Sequence, residues 1–249
     1  MAAVSLVRVT KRFGVATVVD EVSLDVAEGG FLALLGPSGC GKTTILRMIA
    51  GFETVNAGVI RLGGHAVSDA ARHVPPEDRR VGIVFQSYAL WPHMDVAANV
   101  AYPLRVRGVR GRALETAVED ALAAVELGGF GARRPADLSG GQRQRVALAR
   151  CLAMGARLVL LDEPLANLDV HLRAAMEDAF RAFHARTGAT MVYVTHDQAE
   201  AMTLASAVAV MSGGRIEQVA APDRLWSEPA TEMVAGFVGE GAVVAATVL

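Results

Sequence analysis

The chain has 249 residues, 52% hydrophobic and 20% charged, enough for one large α/β domain with its own core and unlike a disordered segment. Lys and Arg number 24 against 26 Asp and Glu, a formal net charge of -2, which gives no support to nucleic-acid binding. The two cysteines, Cys40 and Cys151, are too few for a disulfide framework or a metal cluster and fit a reducing compartment.

From the N-terminus, alternating apolar residues at 5–9 and 18–26 predict short strands of a β layer. Residues 1–13 lack the apolar core of a signal peptide, and no apolar run approaches the roughly 18 residues that span a bilayer. A soluble protein is expected, with any membrane role supplied by a partner. Residues 31–35 form a continuous apolar run suited to a buried central strand. A glycine-rich turn follows at 36–41, then a helical stretch at 43–50. Apolar runs before and after Gly63-Gly64 and Gly213-Gly214 predict two hairpins. Residues 81–85 form another short strand. Between about 88 and 153 the period turns helical, with Leu114, Ala117, Val118, Ala121, Leu122 and Val125 on one face. Strands return at 158–161 and 191–194, separated by a helix with Leu172, Ala175, Met176, Ala179, Phe180 and Phe183 on one face. Two short helices around Pro229 close the pattern at 222–238. Alternating strands and helices imply a mostly parallel sheet with its chemistry at the carboxyl ends of the strands.

Gly36-Pro37-Ser38-Gly39-Cys40-Gly41-Lys42-Thr43 matches the G-x-x-x-x-G-K-[ST] phosphate-loop pattern. Its glycines let backbone N–H groups turn toward phosphate oxygens, and the following helix adds the positive end of its dipole. Lys42 supplies a point charge for the β- and γ-phosphates, and the Thr43 hydroxyl is an Mg²⁺ ligand. Cys40 reads as a small filler rather than a redox thiol. The strand at 158–161 ends in Asp162-Glu163, and buried carboxylates cost several kcal/mol unless compensated. Asp162 suits an Mg²⁺ contact, and Glu163 a general base or water-positioning group. His196 follows the strand at 191–195 and suits contact with a γ-phosphate. His65, His73, His93, His171 and His184 lack such placement.

Leu138-Ser139-Gly140-Gly141-Gln142 opens a second glycine-containing helix start, a further anion site. Two such elements in one chain make sense if the second completes a site on another subunit, as in a C₂ dimer. This order of motifs resembles the ABC ATPase family along nearly the whole chain. The resemblance implies a RecA-like P-loop NTPase core with a mostly parallel sheet, an N-terminal antiparallel β layer and a helical subdomain insert. It divides the chain into a domain at 1–238 and a tail at 239–249, where a regulatory domain would begin. Within the domain lie a core and β layer at about 1–87 and 154–220, a helical subdomain at about 88–153, and C-terminal helices at about 222–238.

The family's roles carry over position by position. Gln86 takes the glutamine that contacts Mg²⁺ and water, Asp169 the aspartate at the dimer interface, and Phe13 the aromatic residue stacked on adenine. Phe13 stands where tyrosine or tryptophan is more usual. Ala166 departs from a common serine, removing a hydroxyl at the expected interface. ATP and Mg²⁺ are then expected on Phe13, residues 36–44 (Thr44 included), Gln86 and Asp162. Ser139, Gly140, Gly141 and Gln142 would come from the partner copy, and Lys42, Gln86, Glu163 and His196 would act in catalysis.

Residues 85–94 and 193–201 resemble the branch that serves importers of sugars, polyamines and ferric iron. That implies permease subunits in the membrane, an extracytoplasmic solute-binding protein acting indirectly, a homodimer or a dimer with a homologous subunit, and a peripheral place on the cytoplasmic face. Residues 88–94 are the expected permease contact, with a packed aromatic loop as the alternative for Tyr88 and Trp91. Arg105, Arg107, Arg110 and Arg112 read as a solvated face. Rival readings are a soluble ABC ATPase of DNA repair or translation, which usually carries long coiled-coil inserts or tandem cassettes, and a regulatory module that binds nucleotide without hydrolysis.

Overall fold

A computed structural model describes residues 2–166 and 168–239. In chain order it contains β1 (Ala2–Phe13), β2 (Ala16–Ala27), β3 (Phe31–Leu35), α1 (Lys42–Ala50), β4 (Ala57–Leu62), β5 (His65–Ser68) and β6 (Gly82–Val84). Then come α2 (Val96–Val106), α3 (Gly111–Ala123), α4 (Gly140–Ala153), β7 (Leu158–Asp162), α5 (Val170–Thr187) and β8 (Thr190–Thr195). The last described elements are α6 (Gln198–Leu204), β9 (Ala207–Ser212), β10 (Arg215–Ala220), α7 (Pro222–Ser227) and α8 (Glu232–Val238). The chain forms two compact units, the first from residues 1–75 and 192–249, the second from 76–191. The expected tail at 239–249 lies outside the described residues from 240 onward.

In the first unit β2-β1-β4-β5 form an antiparallel sheet, and β10-β9-β3-β8 lie side by side in another. The β1–β2 hairpin is longer than the strands expected at 5–9 and 18–26, reaching from the pair Ala2↔Ala27 to Phe13↔Ala16. The alternation that marks strands in sequence fails midway, where the register shifts between Leu6 and Val9. Arg8 adopts left-handed backbone there (φ 47°), and Glu21 does so (φ 48°) at the next shift, between Val9 and Lys11, so the ribbon carries a bulge on each strand. Both glycine-pair hairpins form as expected, with Leu62 opposite His65 and Ser212 opposite Arg215. All five residues of β3 are buried, and β3 runs parallel to β9.

The second unit holds the parallel pair β6 and β7, with Val84 opposite Leu161. Here α4 packs against α2, α3 and α5. The expected apolar faces point inward: Val118, Ala121 and Leu122 of α3 and Met176, Phe180 and Phe183 of α5 are buried, whereas Ala175 is exposed. At about 25 cal/mol per Å² of apolar surface, each of the larger of these side chains contributes on the order of 2 kcal/mol before entropy is counted. Arg107 turns back to donate to the Met154 carbonyl at 2.6 Å.

Candidate nucleotide site

The first unit carries the phosphate loop. β3 delivers the chain to Gly36, where a Cβ would lie 2.3 Å from the Met211 carbonyl oxygen, so only glycine lets the loop pass β9. Gly41 caps α1 with φ 105°, and a Cβ there would lie 2.6 Å from the Val18 carbonyl oxygen. No side chain caps α1 and no acidic residue lies in its first turn, so its N–H groups and dipole face an incoming anion. Lys42 is buried, and its Nζ donates to the carbonyl oxygens of Gly36 (2.7 Å) and Pro37 (2.9 Å), with the Cys40 sulfur at 3.8 Å. These bonds fix the ammonium within the loop. Thr43 and Thr44 are half-buried in the first turn of α1.

Phe13 ends β1 and is 47% exposed, so its ring can receive a flat base. Lys11 stands over that ring with Nζ 4.9 Å from the centroid, held by Glu53 (2.9 Å) and Thr54 (3.4 Å). β3 and β8 are neighbours in the sheet, and the phosphate loop and the exposed His196 follow directly from their carboxyl ends.

The second unit carries the acidic pair, Gln86 and the second glycine element. Because β6 and β7 run parallel, Gln86 and Asp162-Glu163 leave the same edge of that pair. Asp162 and Glu163 are half-buried, and Glu163 has left-handed backbone at φ 43°. A non-glycine residue held there costs about 1–2 kcal/mol, the kind of strain that collects at functional sites. β7 runs one residue past the expected 158–161, stopping at Asp162, and Glu163 begins a turn.

Ser139 caps α4 in a reciprocal pair, its hydroxyl accepting from Gln142 N (3.3 Å) while Gln142 Oε1 accepts from Ser139 N (2.9 Å). The hydroxyl keeps its own proton to donate to an anion. A Cβ on Gly141 would lie 2.5 Å from Leu172 Cδ1, so a larger residue here would make the half-buried Leu172 side chain move. Asp169 caps α5, accepting from Leu172 N at 2.9 Å. The residue assigned to an interface therefore has a task inside its own chain.

Sequence reasoning missed the supports beneath these residues. Tyr88 and Ala89, just after Gln86, both have left-handed backbone (φ 63° and 46°). Arg150 of α4 holds that turn, donating to the carbonyls of Ala89 (2.8 Å) and Tyr88 (3.3 Å) and facing the Trp91 ring at 5.3 Å. Burial lowers the Arg150 pKa. Asn99 is fully buried and binds the loop at both ends, accepting from Trp91 N and donating to the carbonyls of Trp91, Met94 and Asp95. Tyr88 is thus buried while Trp91 stacks near Tyr102 at 4.3 Å, so the packed aromatic loop describes both. Burial also pushes the Cys151 thiol up to about 11, keeping it protonated as packing against Gly82.

Gln144 of α4 is fully buried, and neither amide atom has a hydrogen-bond partner among the described residues. An unsatisfied buried amide costs about 1–3 kcal/mol. Gln144→Met, of similar shape, is expected to raise the melting temperature, by about 2–4 °C per kcal/mol recovered in a chain of this size. Scanning calorimetry checks it; an unchanged or lower midpoint means the amide is satisfied in solution.

A family profile described as ABC transporter matches residues 19–166, more than half of the chain. This chain belongs to the ABC transporter family. Within the family it is 51% identical over 240 residues to the spermidine/putrescine import ATP-binding protein PotA of Pseudomonas aeruginosa, spanning 96% of this chain and 65% of that protein. It is 50% identical over 244 residues to the sn-glycerol-3-phosphate import ATP-binding protein UgpC of Burkholderia pseudomallei, spanning 98% of this chain and 67% of that one. The chain thus covers just under two thirds of the length of the polyamine relative. Among solved structures, the ATP-binding cassette MJ0796, a dimer in a post-hydrolysis state bound to ADP and Pi, superimposes with a TM-score of 0.76 at 29% identity, covering 88% of this chain and 98% of that one. The fold is that of the family's P-loop NTPases.

Proposed function

We propose that this chain is the ATP-binding and ATP-hydrolysing subunit of an ABC importer, closing as a dimer around nucleotide and driving permease subunits in the membrane. The observation that carries the reading is the pair of helix starts built for anions, the bare Gly41-Lys42 start of α1 and the Ser139-Gly140-Gly141 start of α4, neither with an acidic first turn. Adenine rests on Phe13, the phosphates on residues 36–44, and a second copy supplies Ser139 and Gly141. Glu163 takes a proton from water as the water oxygen bonds to the γ-phosphorus. The bond to the β–γ bridging oxygen breaks, and ADP leaves with that electron pair. His196 and Lys42 face the charge that develops on the γ-oxygens.

Thr43, Asp162 and Gln86 offer only oxygen donors of the hard kind that Mg²⁺ prefers. Mg²⁺ in phosphate sites usually takes only one or two protein ligands, with phosphate oxygens and water supplying the rest. Bound there, Mg²⁺ would neutralise charge on the β- and γ-phosphates. Among the described residues no helix is long and apolar enough to cross a membrane. We place the subunit on the cytoplasmic face, held there by its permease. Relatives of near-equal identity are named for polyamine and for glycerol phosphate import, so we place the choice of solute in the permease and its solute-binding protein.

The test is the mass of the protein in light scattering. With ATP and Mg²⁺, a hydrolysis-impaired Glu163→Gln form is expected to double its mass and to return to monomer when nucleotide is removed. A strict monomer, alone and with the membrane partner, overturns the reading.

A further inference from the structure

His196 stands between Thr195, whose hydroxyl is bonded to the buried carboxylate of Glu200, and Asp197, which that hydroxyl and the Glu200 N–H hold in turn. Glu200, in α6, is only 4% exposed, and its Oε2 accepts from the hydroxyls of Tyr193 (2.7 Å) and Thr195 (2.7 Å). Thr195 Oγ1 in turn accepts from the backbone N–H of Asp197 (3.0 Å), and Asp197 Oδ1 accepts from the N–H of Glu200 (3.2 Å). Tyr193 is fully buried, its ring tilted against Phe31 with centroids 6.2 Å apart. The turn carrying His196 is therefore closed into a ring of hydrogen bonds whose anchor lies in the core.

A carboxylate in such a place is an expensive anchor. Well-packed apolar side chains of similar volume often serve stability as well as or better than buried charged groups. What an apolar residue could not do is accept the hydroxyls of Tyr193 and Thr195 on a single oxygen and so fix Thr195, whose own Oγ1 holds the Asp197 N–H on the far side of position 196. We propose that Glu200 is a positioning residue for His196, setting the direction in which the imidazole meets the γ-phosphate. The proposal rests on the reading of His196 given above. Displacement of a reacting group by about 1 Å can lower a rate 10²-fold, so a loose turn at 196 has a measurable signature.

The experiment compares steady-state ATP hydrolysis by the full chain and by Glu200→Leu, Glu200→Gln, His196→Ala and the His196→Ala/Glu200→Leu double variant. Glu200→Leu is expected to lower kcat by about 10- to 10²-fold with KM for ATP within about twofold. Glu200→Gln, whose carbonyl oxygen accepts both hydroxyls, is expected to stay within about threefold of the parent. In the His196→Ala background Glu200→Leu should cost nothing further, because the group it positions is gone. An undiminished kcat in Glu200→Leu, an equal loss in Glu200→Gln, or a loss that simply multiplies with that of His196→Ala overturns the proposal. A parental kcat in His196→Ala alone instead overturns the role of His196. Should Glu200→Leu fail to fold, Thr195→Val removes the hydroxyl that joins Glu200 to Asp197 with little change in shape, and the same dependence on His196 is expected.

Discussion

Glu163→Gln is expected to bind ATP as the parent does and to hydrolyse it about 10²-fold more slowly or worse, the scale of loss when a general base is removed. The substitution keeps the side chain's length and shape and removes only its ability to take a proton. The local backbone gives a further reason to expect an intact fold. Position 163 sits at φ 43°, and glutamine occupies that region at a similar cost to glutamate. The turn closed by Ala166 N on the Glu163 carbonyl (3.3 Å) involves main chain alone and is untouched. Titration with a fluorescent nucleotide alongside a phosphate-release assay separates the two effects. Normal turnover would remove Glu163 from the chemistry.

Lys42→Ala should act one step earlier, on nucleotide binding itself. The ammonium is buried within the loop and bonded to two of its carbonyl oxygens, so it is already desolvated and fixed where phosphate charge arrives. A hydrogen bond to a charged group is worth about 1.5–3 kcal/mol, which corresponds to about 10- to 10²-fold in dissociation constant. The same change leaves the Gly36 and Pro37 carbonyls without this donor, loosening the loop that the glycines shape. An unchanged affinity would count against the loop as the phosphate site.

These two residues were legible because their chemistry is local in sequence. A phosphate loop needs glycines where backbone must pass close to other backbone, and Gly36 and Gly41 stand where a Cβ would strike the carbonyls of Met211 and Val18. The hairpins at Gly63-Gly64 and Gly213-Gly214 were legible for a similar reason, since the turn chemistry sits in two adjacent letters. The β1–β2 ribbon was read too short because bulges at Arg8 and Glu21 break the alternation on which strand reading depends. Asn99, Arg150, Gln144 and Glu200 were not found, because polar letters in helical stretches read as a solvated face. Asn99 and Glu200 are held by backbone groups and hydroxyls nearby in sequence, from Trp91, Asp95, Tyr193 and Thr195, which only the fold of the intervening turns brings against them. The left-handed turn at Glu163 left no trace either, as glutamate carries no mark of such backbone.

The contact between Gly141 and Leu172 also bears on how sequences of this kind can drift. A methyl added at 141 would have to share space with a branch of Leu172 at 2.5 Å, while Leu172 N is itself pinned by Asp169. Leu172 is half-buried, so its side chain can swing outward while its backbone N–H stays capped, and bulk gained at 141 is met by a new rotamer at 172 rather than by movement of α4 or α5. Lineages that enlarge position 141 should therefore favour a smaller or more flexible residue at 172.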